Sequence, residues 1–423
     1  IEASVFNFLR DILLFRFPEN LDDETRAEHV HFVLKFQQAT GPIMAKGLED
    51  TTFYIFNRLA ALNEVGGEPQ QFGISVEDFH NEQRWYREHW PATMLTTSTH
   101  DTKRGEDVRA RMIAISEIAD LWRSSITRWR MVNRKAKTKL EEAEAPDANE
   151  EYLLYQTLLG TWPVDSLGKA VPEASDEYIE RIQAYMAKAL KEAKVNTSWV
   201  QPNEQWDNAV KEFIARILER GAKNRFVPAL APVVEEIARL GASNSLTQVL
   251  LKLTAPGVPD IYQGNEIWDD SLVDPDNRRA VDYAKRREML NGLTSAEPAD
   301  LLTNWPDGRI KLYLTSRVLQ LRREHAELFL RGSYEPLVVT GTHAESCMAF
   351  TREHNGSRIV VITPRLSSRV GFPAIGERWQ DTAIELPNDM IGARDLFTNR
   401  ELRDGRVSDT LATLPFAVYV SQR

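Results

Sequence analysis

The stretch STHDTKRGEDVRAR, Ser98 to Arg111, sets a His-Asp pair at the end of an uncharged run, Ala92 to Thr99, and just before a burst of charge. The run is opened by Pro91, is rich in Thr and apolar residues, and has the length of a buried strand. In a barrel of alternating strands and helices, catalytic side chains point from the C-terminal ends of the strands, which would put His100 and Asp101 in a pocket. A plainer reading stands beside it: Asp101 caps the following helix, whose first turn carries Glu106 and Asp107. Lys103, two residues beyond Asp101, can project over the same rim with three donors. In MAKGLEDT, Lys46 and Glu49 flank Gly47 among apolar neighbours, an unusual setting for solvated charges.

The elements that must position these groups belong to a large globular chain. With 423 residues, 42% hydrophobic and 27% charged, it can bury sizeable cores and is expected to form more than one domain. The formal charge of −10 argues against a general polyanion binder, so no nucleic-acid partner is expected. One basic run, Trp122 to Lys139, carries seven Lys or Arg and two Trp. It reads as an exposed helix face meeting the acidic run that follows at Glu141 to Glu151. Cys347 is the only cysteine, which excludes an intramolecular disulfide and a cysteine-based zinc cluster and favours the cytoplasm. No apolar run reaches the ~18 residues of a membrane span, so no membrane partner is expected. Ile1 stands where an initiator Met would, and the chain opens directly in a helical pattern, so it reads as a piece of something longer.

Helical patterns dominate the first three quarters. Residues 1–90 form a helical segment, with helix-like stretches at Ala3–Phe15, Thr25–Thr40 and Thr52–Glu64 interrupted at Pro18, Gly41-Pro42 and Gly66-Gly67. Residues 91–105 hold the strand and the His-Asp loop. Residues 106–224 read as a helical inserted subdomain, with Gly221 as the C-cap of its last helix. Residues 225–333 contain a helix ended by TAPG, a short strand VPDIY, and helices near Asp282–Leu293 and Arg309–His325. Residues 334–423 switch to period two, with turns between LVVTG, SCMAFTRE, SRIVVITPR, TAIELP and FAVYVSQ, and read as an antiparallel β-sandwich.

STHDTKR, PGVPDIYQGNE and LQLRREHAELFLRGSYEPL together resemble the seventh and eighth strands and the tail junction of the α-amylase superfamily, glycoside hydrolases (family 13) built on a (β/α)8 barrel. Two longer stretches, Phe36 to Pro69 and Leu253 to Tyr283, resemble its maltooligosyl trehalose synthase branch. The resemblance implies a fold class of α/β plus all-β: a partial (β/α)8 barrel with large helical insertions and a C-terminal antiparallel β-sandwich. It implies that Asp101 is the third catalytic carboxylate, which binds sugar hydroxyls and favours ring distortion, and that His100 donates to a neighbouring hydroxyl. It carries Lys103 as an acceptor-side residue and makes Lys46 and Glu49 candidates for lining the sugar site. Tyr262 and Glu266 are expected to be structural, a ring under the site and a carboxylate paired with a base.

The implied reaction is an intramolecular transglycosylation that converts the reducing-end α-1,4 linkage of a maltooligosaccharide to α,α-1,1, without cofactor or metal. The superfamily's nucleophile, in an arginine-x-aspartate motif, and its acid, a strand-borne glutamate, have no counterpart upstream of Asp101. The chain is therefore expected to need the N-terminal remainder of the enzyme as partner and to be inactive alone. Two alternatives remain open here: another hydrolase or glucanotransferase of the superfamily, and a non-catalytic carbohydrate-binding module.

Overall fold

A computed structural model describes residues 3–141 and 143–421. Ile1, Glu142 of the acidic run and Gln422 at the end of the last expected strand lie outside the described residues. The fold is mixed but mostly helical, and its extended structure is concentrated in a C-terminal antiparallel sheet.

Helices begin where short polar side chains can accept from the first free amides. Ser75 with Asp78, and Asp147 with Glu150, form reciprocal capping boxes for helices Val76–His89 and Ala148–Thr161. Ser175 and Asn203 cap Asp176–Ala193 and Glu204–Ile217 by the same chemistry. The first apolar core gathers the last three of these helices around Phe226–Thr254, a 29-residue helix that then enters a second core with Arg309–Glu324 and the C-terminal sheet. Helix Glu106–Ala114 runs through the first core between two partners that approach it at glycines. A Cβ on Gly160 would meet Val108 at 2.8 Å, and one on Gly241 would meet the Arg111 side chain at 2.5 Å.

Several boundaries differ from the sequence reading. Gly41-Pro42 does not stop its helix, which runs Asp23–Met44 and passes into a π-helical turn, Ala45–Glu49. The stretch Thr52–Glu64 is not a helix but two 3-10 turns, Thr52–Tyr54 and Ala60–Leu62, separated by irregular chain. Gly221 is not a C-cap, since its helix ends at Ile217 with Leu218 as cap. The basic run behaves as read from the charge pattern: Lys137 and Arg130 reach Glu151 at 2.7 and 3.7 Å, while Trp122 and Trp129 turn into the core.

Met94–Leu95 and Val258–Pro259 pair in parallel, Met94 opposite Val258 and Leu95 opposite Pro259. The strand character expected over Ala92–Thr99 and Val258–Tyr262 is thus confined to two residues each. In the tail, Cys347–His354, Ser357–Pro364 and Ala417–Val420 form the centre of a five-stranded antiparallel sheet, edged by Arg394–Asp395 and Glu335–Pro336. Val339–Thr340 and Ala383–Ile384 form a separate two-stranded sheet. Cys347 is buried there, and burial pushes its thiol up to about 12, the behaviour of an unreactive core cysteine.

A buried ionic cluster is joined to the loop after the first of these strands through Thr97. Lys311 Nζ is 2.7 Å from both Glu106 Oε1 and Asp107 Oδ2, and Lys252 Nζ is 3.4 Å from Glu106 Oε2. Burial pushes the Glu106 carboxyl up, but the two ammoniums and hydrogen bonds from Lys311 and Thr97 outweigh it and hold it at about 2, against an ordinary 4.5. A carboxyl depressed on folding stabilises above its unfolded pKa, and that contribution disappears as pH falls from 4.5 through 2. We expect Glu106→Gln to lower unfolding free energy at neutral pH by ~3–5 kcal/mol, because Lys252 loses its buried counter-charge. Urea titrations at pH 7, 4.5 and 3 should also show a shallower acid dependence in the variant. A loss below ~1 kcal/mol would mean that the cluster does not hold the fold.

Candidate active site

The chain leaves the first parallel strand at Leu95 and reaches helix Glu106–Ala114 through a loop fixed at many points. Its two ends are tied together: Thr97 Oγ1 donates to Glu106 and accepts from Lys252 Nζ at 2.7 Å, and the Glu106 amide donates to Ser98 Oγ at 3.0 Å. Between them, Thr99–Thr102 forms a turn in which Thr99 Oγ1 accepts from the Asp101 amide at 3.1 Å and Thr99 O from Thr102 Oγ1 at 2.9 Å. Asn277 Nδ2 holds the His100 carbonyl at 3.0 Å, and the Asn277 carbonyl accepts from Tyr262 Oη at 3.2 Å.

That geometry removes the capping reading of Asp101. The N-cap of the helix is Gly105, without a side-chain cap, and the hydroxyl serving the first helical amide is that of Ser98. The His100 and Asp101 side chains are exposed, and among the described residues neither makes a hydrogen bond or ion pair. A tightly held backbone thus presents two uncommitted polar side chains.

After the turn the chain dives inward. Glu64 accepts the Lys103 amide at 2.8 Å and the Arg104 amide at 3.3 Å. Arg104 is buried and donates to Ala60 O at 3.1 Å and Tyr185 Oη at 2.9 Å. Lys103 is not a surface lysine: its side chain is 4% exposed, its Nζ lies 2.8 Å from Asp50 Oδ1, and it sits 6.0 Å from the centre of the Tyr54 ring. The other oxygen of Asp50 takes Lys46 Nζ at 2.5 Å. Burial pushes the Asp50 carboxyl up, but hydrogen bonds from Lys103 and Lys46 prevail and hold it below its ordinary value. Lys46 is raised, first by its hydrogen bond to Asp50 and then by the charge of that carboxylate.

Of the residues singled out from sequence, His100 and Asp101 stand at the turn, Lys103 is buried just after it, and Lys46 is joined to Lys103 through Asp50. Glu49 is turned aside, with Oε1 accepting from the Gly66 amide at 3.1 Å. Glu266 pairs with Arg286 at 2.9 Å, the structural role expected of it. Sequence reasoning missed Asp50, Glu64 and Asn277. Asp50 had a legible signal, since Lys46 and Asp50 are four apart, the spacing at which opposite charges meet on a helical turn. Glu64 and Asn277 act through distant backbone and had none.

We expect Glu64→Ala to leave the Lys103 and Arg104 amides without an acceptor, costing ~1–3 kcal/mol and loosening the loop. Hydrogen exchange should rise on the order of 10-fold or more at those amides while the five-stranded sheet keeps its protection. Unchanged exchange there would show that the loop is held without Glu64.

No protein-family model matches the chain. A Mycobacterium tuberculosis (strain H37Rv) protein assigned as a maltooligosyl trehalose synthase is 38% identical over 355 residues, 84% of this chain and 41% of that protein. The solved maltooligosyltrehalose synthase from Arthrobacter ramosus superposes with a TM-score of 0.76 at 35% identity, covering 92% of this chain and 46% of that one. Another solved maltooligosyl trehalose synthase gives a TM-score of 0.76 at 30% identity, covering 99% of this chain and 54% of that one. The chain spans 41% of the length of the curated relatives it matches.

Proposed function

From the premise that this chain is a homologue of the maltooligosyl trehalose synthases, we propose that it carries part of the machinery of an intramolecular transglycosylation. The reaction turns the reducing-end α-1,4 linkage of a maltooligosaccharide into α,α-1,1, the chemistry of trehalose biosynthesis. The observation that carries the reading is the rigid Thr99–Thr102 turn, which offers His100 and Asp101 free at the end of a parallel strand pair.

In such a reaction a carboxylate attacks the anomeric carbon of the penultimate glucose while a carboxylic acid protonates the departing oxygen. The glycosyl ester then reacts with the anomeric hydroxyl of the released glucose. The new bond forms as the ester bond breaks, and the hydroxyl proton returns to the group that acted as acid, so no water is consumed. Asp101 and His100 bind hydroxyls of the distorted ring, where hydrogen bonds strengthen as positive charge develops. The nucleophile and acid lie, on this reading, in the part of the longer relatives that the chain does not span, which is the partner it needs.

The finer architecture follows the same proposal. Met94–Leu95 and Val258–Pro259 are the seventh and eighth strands of a (β/α)8 barrel, and residues 106–224 are a helical insertion between them. The two sheets of residues 334–423 make a β-sandwich. In support, Met94 and Val258 are 71% and 44% exposed, which is unusual for barrel strands unless neighbours cover them. Among the described residues no helix is long and apolar enough to cross a membrane. A lone buried Cys347 suits the reducing cytoplasm, where we place the reaction.

Two measurements test this. Incubated alone with maltohexaose, the chain should leave it unchanged, and trehalose-capped product would overturn the assignment of the nucleophile to another segment. In the complete enzyme, Asp101→Asn keeps the size and removes the charge, and should lower transfer and hydrolysis together by on the order of 10² or more. Full activity of that variant would remove Asp101 from the catalytic group.

A further inference from the structure

We infer that Asp50, rather than Lys103, is the group that meets the acceptor sugar, with Lys46 as its paired donor; the inference rests on the transglycosylation reading above. Lys103 is placed to anchor and not to reach. Its side chain is 4% exposed, its ammonium faces Asp50 Oδ1 at 2.8 Å, and the Tyr54 ring lies beside it. Asp50 is 25% exposed and Lys46 76% exposed, and their charged ends are 2.5 Å apart. An ionised acceptor beside a three-proton donor matches two neighbouring hydroxyls of a glucose ring, one donating and one accepting.

The backbone beneath is built to hold this pair. In the π-helical turn Ala45–Glu49 the Asp50 amide donates to Ala45 O at 2.9 Å. Thr51 Oγ1 and Thr52 Oγ1 donate back to Lys46 O and Gly47 O at 2.8 and 2.9 Å. A single π-turn of this kind often marks a functional position. A Cβ on Gly47 would meet nothing within 4 Å, so the turn is open on the side of that residue. Asp50 takes the ammonium of Lys103 at 2.8 Å, and Lys103 stands two residues beyond Asp101, so the pair is tied to the loop that presents Asp101 to the sugar. Lys103, buried on the far side of Asp50, supplies the fixed positive charge that keeps the carboxylate ionised and aimed.

The test uses the complete enzyme and one substrate, maltohexaose. The measured ratio is free glucose plus shortened oligosaccharide, divided by trehalose-capped product. Loss of the Asp50 charge loosens the released glucose and lets water take the glycosyl ester, so Asp50→Asn should raise the ratio ~10-fold with the rate of ester formation nearly kept. Added glucose should restore transfer in the variant, with a raised KM for glucose, an effect that a folding defect would not give. Asp50→Glu, which keeps the charge, should recover part of the loss. Lys46→Met, at an exposed side chain that the fold tolerates, should move the ratio in the same direction. An unchanged ratio in Lys46→Met or in folded Asp50→Asn overturns the inference. Failure of the unsubstituted complete enzyme to make any trehalose-capped product overturns instead the reading on which it rests.

Discussion

A helix that begins with two adjacent carboxylates inside a protein must be given counter-charges there, and Glu106 and Asp107 receive theirs from Lys311 and Lys252. The four groups sum to zero charge, and each comes from a place that matters. Lys252 lies near the end of the 29-residue helix, Lys311 on helix Arg309–Glu324, and the carboxylates at the end of the loop that carries His100 and Asp101. Ser245 and the Asp269 amide complete the shell around Asp107. Breaking one member strands an unpaired charge in low dielectric, which costs several kcal/mol, whereas the intact set need contribute little net stability. Its effect is to fix where three segments meet. Because Thr97 joins the cluster from the strand side, the start and end of the loop are held at one point.

The consequence is a division of labour along ten residues. Thr97, Ser98, Thr99, Glu106 and the amides of Lys103 and Arg104 spend their hydrogen bonds on holding shape, and the side chains of His100 and Asp101 spend none. Groups that act on a substrate work best when their positions are settled before binding, since reorganisation at the moment of reaction is avoided. An exposed carboxylate on a flexible loop would lose that advantage, and one engaged in a cap would not be free to act.

Much of this was legible in the sequence, but unevenly. Helices with strong periodicity follow from local chemistry, and Arg309–Glu324 matches the expected Arg309–His325 nearly to the residue. The pairing of two strands about 160 residues apart was legible only through the family resemblance, because strands of two residues have no period to detect. Thr52–Glu64 misled because its apolar residues have helical spacing, yet they fold as 3-10 turns. Tertiary partners decide there: Gln156 accepts the Ala60 amide, and Asn63 ties back to Phe53 O and Phe56 O. The Gly41-Pro42 pair misled in the opposite direction, since proline costs a helix only the bonds around it, and the change to π geometry follows directly after.

The site residues divide in the same way. The types and spacing of His100, Asp101 and Lys103 mark a polar cluster after a strand, but the burial of Lys103 depends on Asp50 and Tyr54 from a segment about fifty residues upstream. A lysine drawn out of water needs a counter-ion, and a carboxylate between two lysines is held ionised, so each explains the position of the other. Sequence alone shows the charges and not which of them pair. Asp50 neutralises Lys103 with one oxygen and takes Lys46 with the other, so an exposed ammonium and a part-exposed carboxylate stand side by side next to the buried lysine.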